Sequence, residues 1–174
     1  MTPAPGHTVF DTPIGACGIG WTAIGVRTVR LPEGSPTQTT ARLLRWYPDL
    51  PAAAPPAAIA SVISDIRALL TGASTDLSRV ELDLTDVPAF EQRVYAAARA
   101  IPPGEFVTYG ELADRLGEPG AARAVGRALG RNPVPIIVPC HRVLAAGGRT
   151  GGFSAPGGVS TKMRMLAIEG ATLF

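Results

Sequence analysis

The sequence predicts an α+β protein in two parts, a small N-terminal α/β layer over residues 1–84 and a mostly helical C-terminal part over residues 85–174. Three observations support this prediction. Short apolar runs broken by glycine and proline fill the first 31 residues, as in strands joined by turns. Two short helical patterns joined by a glycine-containing turn follow residue 107. A segment rich in proline then leads to the pair Cys140-His141.

The N-terminal part is predicted to form strands first and helices second. Glycine and proline turns bound three strands, and two helices follow, separated by a run with four prolines. Glycines inside the strands predict bulges or close backbone packing. The predicted strands are residues 8–11, 15–22 and 25–31, and the predicted helices are residues 37–47 and 57–70.

Composition excludes several classes of protein. No apolar run approaches membrane-spanning length, and the first ten residues lack a basic start followed by an apolar stretch, so we expect a cytoplasmic protein with no membrane partner. The two cysteines, Cys17 and Cys140, allow at most one disulfide, and no Cys/His cluster has zinc-site spacing, so no metal is expected. Cys17 is predicted to pack in the core, and His7 is predicted to be exposed.

The C-terminal part is predicted to begin with two capped helices. A polar linker leads to a helix that Pro88 opens and that ends near residue 100. Thr85 and Asp86 are predicted to cap this helix. Thr108 and Glu111 have the spacing of a capping box at the start of the next helix.

A helix-turn-helix is predicted from that second helix and the one after it. The turn contains glycine and proline, and the last helix covers residues 121–131. Its alanines permit close approach to another surface, and its arginines recur every four residues along one face, as phosphate contacts require. The same motif also serves as a packing unit without DNA, so the pattern alone leaves both readings open. The arginines are Arg123, Arg127 and Arg131, and the alanines are Ala121, Ala122, Ala124 and Ala128.

Charge is distributed unevenly along the chain. The net charge is +2, but residues 1–84 carry six basic and seven acidic side chains, whereas residues 85–174 carry ten and seven. Residues 119–168 contain seven cations and no Asp or Glu. A stretch of one sign attracts a polyphosphate such as DNA, although surface arginines without a function produce the same count. Together with the helix pair, this stretch favours DNA binding.

The Cys140-His141 pair is the main candidate for chemistry. Asn132 and the three prolines at 133, 135 and 139 predict a stiff, extended approach that holds the pair at a fixed point. A thiol beside an imidazole forms a nucleophile, because a nearby base favours the reactive thiolate near neutral pH. The alternative is a small buried cysteine beside a satisfied surface histidine.

The segment around Cys140 also resembles a family signature. Pro-Cys-His-Arg-Val at residues 139–143, preceded by Asn-Pro-Val-Pro, is similar to the active-site signature of the O6-alkylguanine-DNA alkyltransferases, also called methylated-DNA–protein-cysteine methyltransferases. The resemblance covers residues 85–172, and before them it extends only to layout, with Thr-Pro-Ile-Gly at residues 12–15 as the best local match. It implies a ribonuclease H-like N-terminal domain and a winged helix-turn-helix-like C-terminal domain.

The function that this resemblance implies is direct-reversal DNA repair. An alkyl group would pass from O6-alkylguanine, or from O4-alkylthymine, in double-stranded DNA to Cys140 after base flipping. The product thioether is stable and nothing in the chain could cleave it, so one transfer consumes one protein molecule. The resemblance implies no cofactor, no obligate protein partner, a monomer, and association with the nucleoid when DNA is bound.

The resemblance also assigns roles to residues. Cys140 would accept the alkyl group, His141 would deprotonate it through a bound water, and Glu169 would orient the imidazole. Tyr109 would donate a hydrogen bond to N3 of the base, and Asn132 would tie the helix-turn-helix to the active-site loop. The implied substrate contacts are the Ser154 amide at O6, the carbonyls of Cys140 and Val143 at the exocyclic amine, the Phe153 ring and Pro139. Arg123 would replace the extruded nucleotide, and the implied DNA-binding set is Arg123, Ala122, Ala124, Arg127, Arg131 and Thr108.

The sequence departs from the family pattern in three places. Phe153 stands where relatives often have tyrosine, Ala155-Pro156 lengthens the following loop, and the zinc ligands of some relatives are missing. Two other functions stay open. A non-catalytic lesion-binding relative is opposed by Cys140, because such proteins replace the acceptor. A Cys-His-Glu hydrolase or a plain helix-turn-helix regulator would not need Tyr109, Arg123 and Ser154 together.

Overall fold

The structure is a computed structural model that describes residues 3–148 and 158–171. The chain divides into two compact units. The first contains Met1–Thr85 together with Pro133–Ile137, and the second contains Asp86–Asn132 and Val138–Phe174. In the described residues both units combine helices with a small sheet, so the fold is a mixed α and β fold as the sequence predicts.

The first unit is a three-stranded antiparallel sheet with two helices. The strands pair in the order β1-β2-β3. Neighbouring side chains pack closely against two glycines of β2, because a Cβ atom added at Gly18 would meet Leu43 and one added at Gly20 would meet Leu50. The ladder between β2 and β3 is irregular at Gly20, so the predicted bulge and close packing are confirmed. The elements are β1 (Gly6–Thr12), β2 (Gly15–Trp21), β3 (Val26–Arg30), α1 (Pro36–Trp46) and α2 (Ala57–Leu70).

The prediction for His7 is wrong, whereas that for Cys17 is confirmed. His7 is buried, its Nδ1 lies 2.7 Å from the Leu50 carbonyl oxygen, and its backbone pairs with Ala52. The proline-rich stretch after α1 returns beside β1 and covers the imidazole, which a local pattern cannot show. Cys17 is fully buried in β2, and burial raises the pKa of its thiol to about 11.

The outer edge of β3 is covered by other parts of the first unit. The Val26 amide donates to the Glu81 carbonyl at 2.9 Å, and the Val29 amide donates to the Pro133 carbonyl at 3.0 Å. The Thr28 hydroxyl donates to the same Pro133 oxygen at 2.9 Å. The segment Pro133–Ile137 therefore occupies hydrogen-bonding positions at a strand edge that would otherwise stay open.

The second unit contains four α-helices and a two-stranded parallel sheet within its described residues. The capping box is confirmed, because the Glu111 amide donates to Thr108 Oγ1 and the Thr108 amide donates to the Glu111 carboxylate. The predicted cap of the preceding helix is wrong: Pro88 itself occupies the N-cap position, and the Thr85 hydroxyl donates to Asp83 instead. The elements are α3 (Ala89–Arg99), β4 (Val107–Thr108), α4 (Tyr109–Arg115), α5 (Ala122–Gly130), β5 (Val143–Leu144) and α6 (Gly158–Ile168).

Helices α3, α4 and α5 pack together, and the two short helices α4 and α5 follow each other across a tight turn. The Tyr95 hydroxyl of α3 donates to the Ala128 carbonyl of α5 at 2.7 Å, and Arg93 donates to the Leu116 carbonyl at the end of α4. Strands β4 and β5 pair Val107 with Val143. Among the helices of the described residues, none has the length and hydropathy of a membrane span.

Candidate active site

Cys140 lies at the start of a short 3-10 helix, Cys140–Arg142, and is buried. Pro139 precedes it with φ −80° and ψ 66°, and the Cys140 amide donates to the Val138 carbonyl at 2.8 Å. These values describe an inverse γ-turn, whose φ a proline ring favours. The Asn132 side chain donates to the same Val138 carbonyl at 2.8 Å. The predicted stiff approach is therefore present, and its last turn is held by two hydrogen bonds.

His141, Glu169 and Arg142 form a buried hydrogen-bonded cluster. His141 Nε2 lies 2.7 Å from Glu169 Oε1, and Arg142 donates to both carboxylate oxygens, through Nε at 2.9 Å and Nη2 at 2.7 Å. The remaining Arg142 bond goes from Nη1 to the Ile101 carbonyl at 2.7 Å. Hydrogen bonds from His141 and Arg142 overcome burial and lower the pKa of Glu169 to about 2. The sequence identifies Arg142 only as part of the Pro-Cys-His-Arg-Val signature and as one of the cations, and it gives no sign of this bidentate contact.

The ionised Glu169 fixes the tautomer of His141. A carboxylate only accepts hydrogen bonds, so Nε2 carries the proton and Nδ1 is the basic nitrogen. Nδ1 is buried and has no hydrogen-bond partner among the described residues. Burial lowers the pKa of His141, which keeps the imidazole neutral and Nδ1 able to accept a proton.

The end of α6 places Glu169. The Gly170 amide donates to the Ala167 carbonyl, the Ala171 amide donates to the Leu166 carbonyl, and Gly170 has φ 79°. This is a Schellman motif with glycine in the left-handed conformation, so Glu169 occupies the C-cap position directly after α6. The Glu-Gly pair is a recognisable sequence signal for such a helix end.

Burial dominates the electrostatics of Cys140. Burial raises the pKa of the thiol, while hydrogen bonds from the Asn132 side chain and from nearby amides, and the charge of Lys162, act in the opposite direction. The expectation of a thiolate favoured near neutral pH is therefore wrong for the resting protein. The thiol is the resting form, because a charged sulfur would be poorly solvated there.

Lys162 is a site residue that the sequence reasoning missed. It lies on α6 with 1% of its surface exposed, and its Nζ lies 5.7 Å from the centre of the Tyr109 ring. Burial lowers the pKa of Lys162 to about 8, although the Cys140 thiolate opposes that shift. Burial also raises the pKa of Tyr109, which keeps its hydroxyl protonated as a donor. An acid-free stretch gave no reason to separate this cation from surface arginines.

The arginines predicted to contact DNA lie on α5 or directly after it. Arg123 and Arg127 are exposed, and no ion pair is found for either within the described residues. Arg131 follows the helix and its guanidinium lies 3.4 Å from the Glu91 carboxylate. Of the cations in the acid-free stretch, Arg142 and Lys162 are internal. The stretch therefore combines exposed cations with cations that belong to the site.

Several other predicted contacts have a structural role in addition to any contact with DNA or substrate. Ala128 is buried in the packing of α5, whereas Ala122 and Ala124 are partly exposed. The Thr108 hydroxyl accepts the capping hydrogen bond of α4. The Val143 amide donates to the Cys140 carbonyl, which keeps a second lone pair for another donor.

Phe153, Ser154 and the Ala155-Pro156 loop lie outside the described residues, so the substrate contacts predicted there are not placed. Within residues 3–148 and 158–171, no three His, Cys, Asp or Glu side chains form a group that could hold a metal ion. The structure thus places Asn132, Tyr109 and Lys162 near the buried Cys140 sulfur, and it joins the adjacent residue His141 to Glu169.

Comparison with known proteins agrees with this geometry. Residues 89–171 match the family model described as 6-O-methylguanine DNA methyltransferase, DNA binding domain. The methylated-DNA–protein-cysteine methyltransferase of Mycobacterium tuberculosis H37Rv is 39% identical over 165 residues, covering 94% of this chain and 91% of the relative. The crystal structure of M. tuberculosis OGT in complex with DNA has TM-score 0.76 and 37% identity, covering 94% of this chain and 92% of that one.

A more distant solved structure has the same fold. The O6-methylguanine-DNA methyltransferase of Pyrococcus kodakaraensis matches with TM-score 0.71 and 28% identity, covering 95% of this chain and 99% of that chain. The fold and the site define a DNA-binding class of protein with a buried Cys-His-Glu cluster. The chain belongs to the methylated-DNA–protein-cysteine methyltransferase family.

Proposed function

We propose that this protein repairs double-stranded DNA by moving an alkyl group from O6-alkylguanine to Cys140 in a single turnover. Family membership supports the reaction class, and one structural observation supports the assignment of the acceptor. Cys140 is the cysteine that adjoins a buried histidine with a free basic nitrogen, whereas Cys17 lies in the sheet of the other unit. The finer reading includes O4-alkylthymine as a second substrate, a monomer, and ribonuclease H-like and winged helix-turn-helix-like domains.

The proton step follows from the tautomer of His141. Nδ1 takes the Cys140 proton through one bound water, and the imidazolium is stabilised by the Glu169 carboxylate 2.7 Å from Nε2. Arg142 holds that carboxylate through both oxygens, so it cannot turn away from the ring. The amide of Asn132 and the charge of Lys162 then support the thiolate for the moment at which it attacks.

The alkyl transfer is a displacement at carbon. A bond forms between Cys140 Sγ and the alkyl carbon while the bond from that carbon to guanine O6 breaks, and the electron pair stays on the guanine. The base ends as ordinary guanine once it has taken up a proton. Tyr109 donates a hydrogen bond to N3 of the base, which favours the developing negative charge. Its raised pKa keeps the donor in place at neutral pH.

Access to the alkyl group requires the nucleotide to leave the helical stack, because O6 of a stacked guanine cannot approach a buried thiol. Arg123 enters the duplex in place of the extruded nucleotide, and Arg127 binds the backbone phosphates. The exposed positions of both side chains on α5 support these roles. Arg131 also pairs with Glu91, so we assign it the smaller share of phosphate binding.

Intact-mass spectrometry tests the proposal. Incubation with a duplex containing one O6-methylguanine is expected to add a single methyl mass to the peptide that carries Cys140 and none to the peptide with Cys17. The variant Cys140→Ala should bind the same duplex and gain no mass. Methyl transfer to that variant would refute the assignment of the acceptor, and binding without transfer by the wild type would indicate a lesion-binding protein.

A further inference from the structure

The first unit gathers most of its positive charge around one aromatic ring. Residues 1–84 contain six arginines, no lysine and seven acidic side chains, and four of the arginines lie on β3 or α1. The guanidinium groups of Arg27 and Arg30 lie 5.6 Å and 5.7 Å from the centre of the Tyr47 ring. We call this group the Tyr47 cluster, and its members are Arg27, Arg30, Arg42, Arg45, Trp46 and Tyr47.

Helix α1 presents three members of the Tyr47 cluster together. Arg45 and Trp46 follow Arg42 by three and four residues, so the three side chains are neighbours on the helix surface. All three residues are exposed, and Trp46 leaves 59% of its surface in contact with solvent. The packing of the first unit therefore leaves this indole open to a ligand.

The cations of the Tyr47 cluster outnumber the carboxylates that pair with them. Arg27 pairs with Asp83 at 3.5 Å, and Arg42 pairs with Glu33 at 3.6 Å. Arg45 has no ion pair within residues 3–148 and 158–171. An exposed positive charge therefore remains beside the indole.

The electrostatics of the Tyr47 cluster favour an added anion. Burial lowers the pKa of Arg30, Tyr47 opposes that shift, and the charge of Arg42 adds to it. The two guanidinium groups thus repel each other, and a bound anion would relieve the repulsion. Guanidinium groups suit phosphate oxygens, while an exposed indole offers a flat face on which a nucleobase can stack.

We propose that the Tyr47 cluster binds single-stranded DNA, with phosphates on the arginines and one base stacked on Trp46. A duplex suits the cluster less well, because its bases are already stacked on one another. An acidic peptide offers the anions without a regular series of flat rings. This surface lies on β3 and α1 of the first unit, whereas the proposed duplex contacts lie on α5, so the two sites are tested separately.

Intrinsic fluorescence reports on this surface alone. The chain contains two tryptophans, both in the first unit, and Trp21 is 0% exposed whereas Trp46 is exposed. Titration of the full chain with a single-stranded oligothymidylate that carries no alkylated base should therefore quench the emission of Trp46 until the site is saturated. A strand that is bound only through residues of the second unit stacks on no tryptophan.

Arg45→Ala and Arg67→Ala form a matched pair of variants. Both arginines are exposed and lie in the last turn of a helix, where each favours the helix dipole equally, but Arg67 lies over the Phe10 ring and outside the Tyr47 cluster. Loss of one phosphate contact in Arg45→Ala should weaken the affinity measured by quenching about fivefold in about 0.1 M salt and reduce the slope of log affinity against log salt concentration by about 0.7. Arg67→Ala should match the wild type, and Arg45→Lys should keep most of the affinity.

Four outcomes would overturn the proposal. They are no quenching by the oligothymidylate, an equal loss of affinity in Arg45→Ala and Arg67→Ala, equal quenching by a duplex of the same length, and equal quenching by polyglutamate, which would indicate an acidic protein as the partner. None of these measurements involves methyl transfer. Failure of the wild type to accept a methyl group would refute the proposed function and leave the result for the Tyr47 cluster unchanged.

Discussion

Replacing Glu169 by glutamine should damage both the stability and the chemistry of the site, in amounts that can be separated. The substitution removes one negative charge and keeps the size of the side chain. The Glu169 side chain is 3% exposed and lies between the guanidinium of Arg142 and the imidazole of His141. The variant therefore leaves a buried arginine without its counter-ion.

The loss of stability follows from the pKa of Glu169. Folding lowers that pKa from 4.5 to about 2, and a shift of this size corresponds to about 3 kcal/mol of folding free energy at pH 7. A lowered carboxylate pKa contributes stability that is fully present above pH 4.5 and is lost as the pH falls toward 2. The difference in free energy of unfolding between wild type and Glu169→Gln should accordingly shrink across that window.

The loss of rate follows from hydrogen-bond donors. Glutamine must direct its amide NH2 either at Arg142, where two donors would face each other, or at His141 Nε2. The second orientation requires Nε2 to accept, which moves the imidazole proton to Nδ1 and removes the base. General-base catalysis contributes about a hundredfold or more, so methyl transfer from duplex DNA should fall by at least that factor.

The assays are urea unfolding between pH 3 and pH 8 and single-turnover methyl transfer with a separate measurement of DNA affinity. Arg142→Lys is the control, because it weakens the clamp on Glu169 and preserves both the positive charge and the His141 bond. Its transfer rate should fall much less than that of Glu169→Gln at a comparable loss of stability. Equal losses of affinity and rate in Glu169→Gln would show that Glu169 only supports the fold.

Three further predictions concern residues on α4, α5 and α6. Arg123→Ala should strongly slow repair of duplex DNA and have little effect on the reaction with free O6-benzylguanine. Arg127→Ala should only weaken DNA binding and reduce the slope of log affinity against log salt concentration by about one. If Arg123→Ala slows both reactions equally, Arg123 has a structural role. Lys162→Met should slow alkylation of Cys140. It should also raise the free energy of unfolding at pH 7, because a lysine whose pKa falls from 10.5 to about 8 on folding opposes folding at every pH below about 8. A stability gain that persists above pH 10.5 would contradict that account. Thr108→Ala should cost about 1 kcal/mol of unfolding free energy through loss of the cap on α4, and an unchanged Tm would contradict the cap.

Much of the local structure could be predicted from the sequence, because its causes are local. Helix α2 begins and ends where the apolar spacing indicates, and the capping box at Thr108 forms as its spacing predicts. The errors fall where a distant segment decides the outcome. His7 is buried by the stretch after α1, and Pro133–Ile137 joins the edge of β3, far away in sequence.

The candidate site was predicted in part for the same reason. Cys140 and His141 are neighbours in sequence, but Lys162 and the second function of Arg142 become visible only when α6 packs against the 3-10 helix. Composition treated every cation in the acid-free stretch alike. Desolvation distinguishes them, and desolvation depends on tertiary packing.

The short ladder between β4 and β5 has a consequence for how DNA binding and chemistry are connected. Thr108 pairs with Leu144 and also caps α4, while Val107 pairs with Val143, which directly follows the 3-10 helix of Cys140. Parallel pairing holds the two segments in register, so α4 and the 3-10 helix of Cys140 are attached to the same ladder. Tyr109 directly follows β4 and Cys140 lies three residues before β5, so the ladder restrains the separation of the two residues. Under the proposed reaction, a duplex that docks on this ladder would meet Tyr109 and Cys140 already positioned by folding, which is the condition for electrostatic preorganisation.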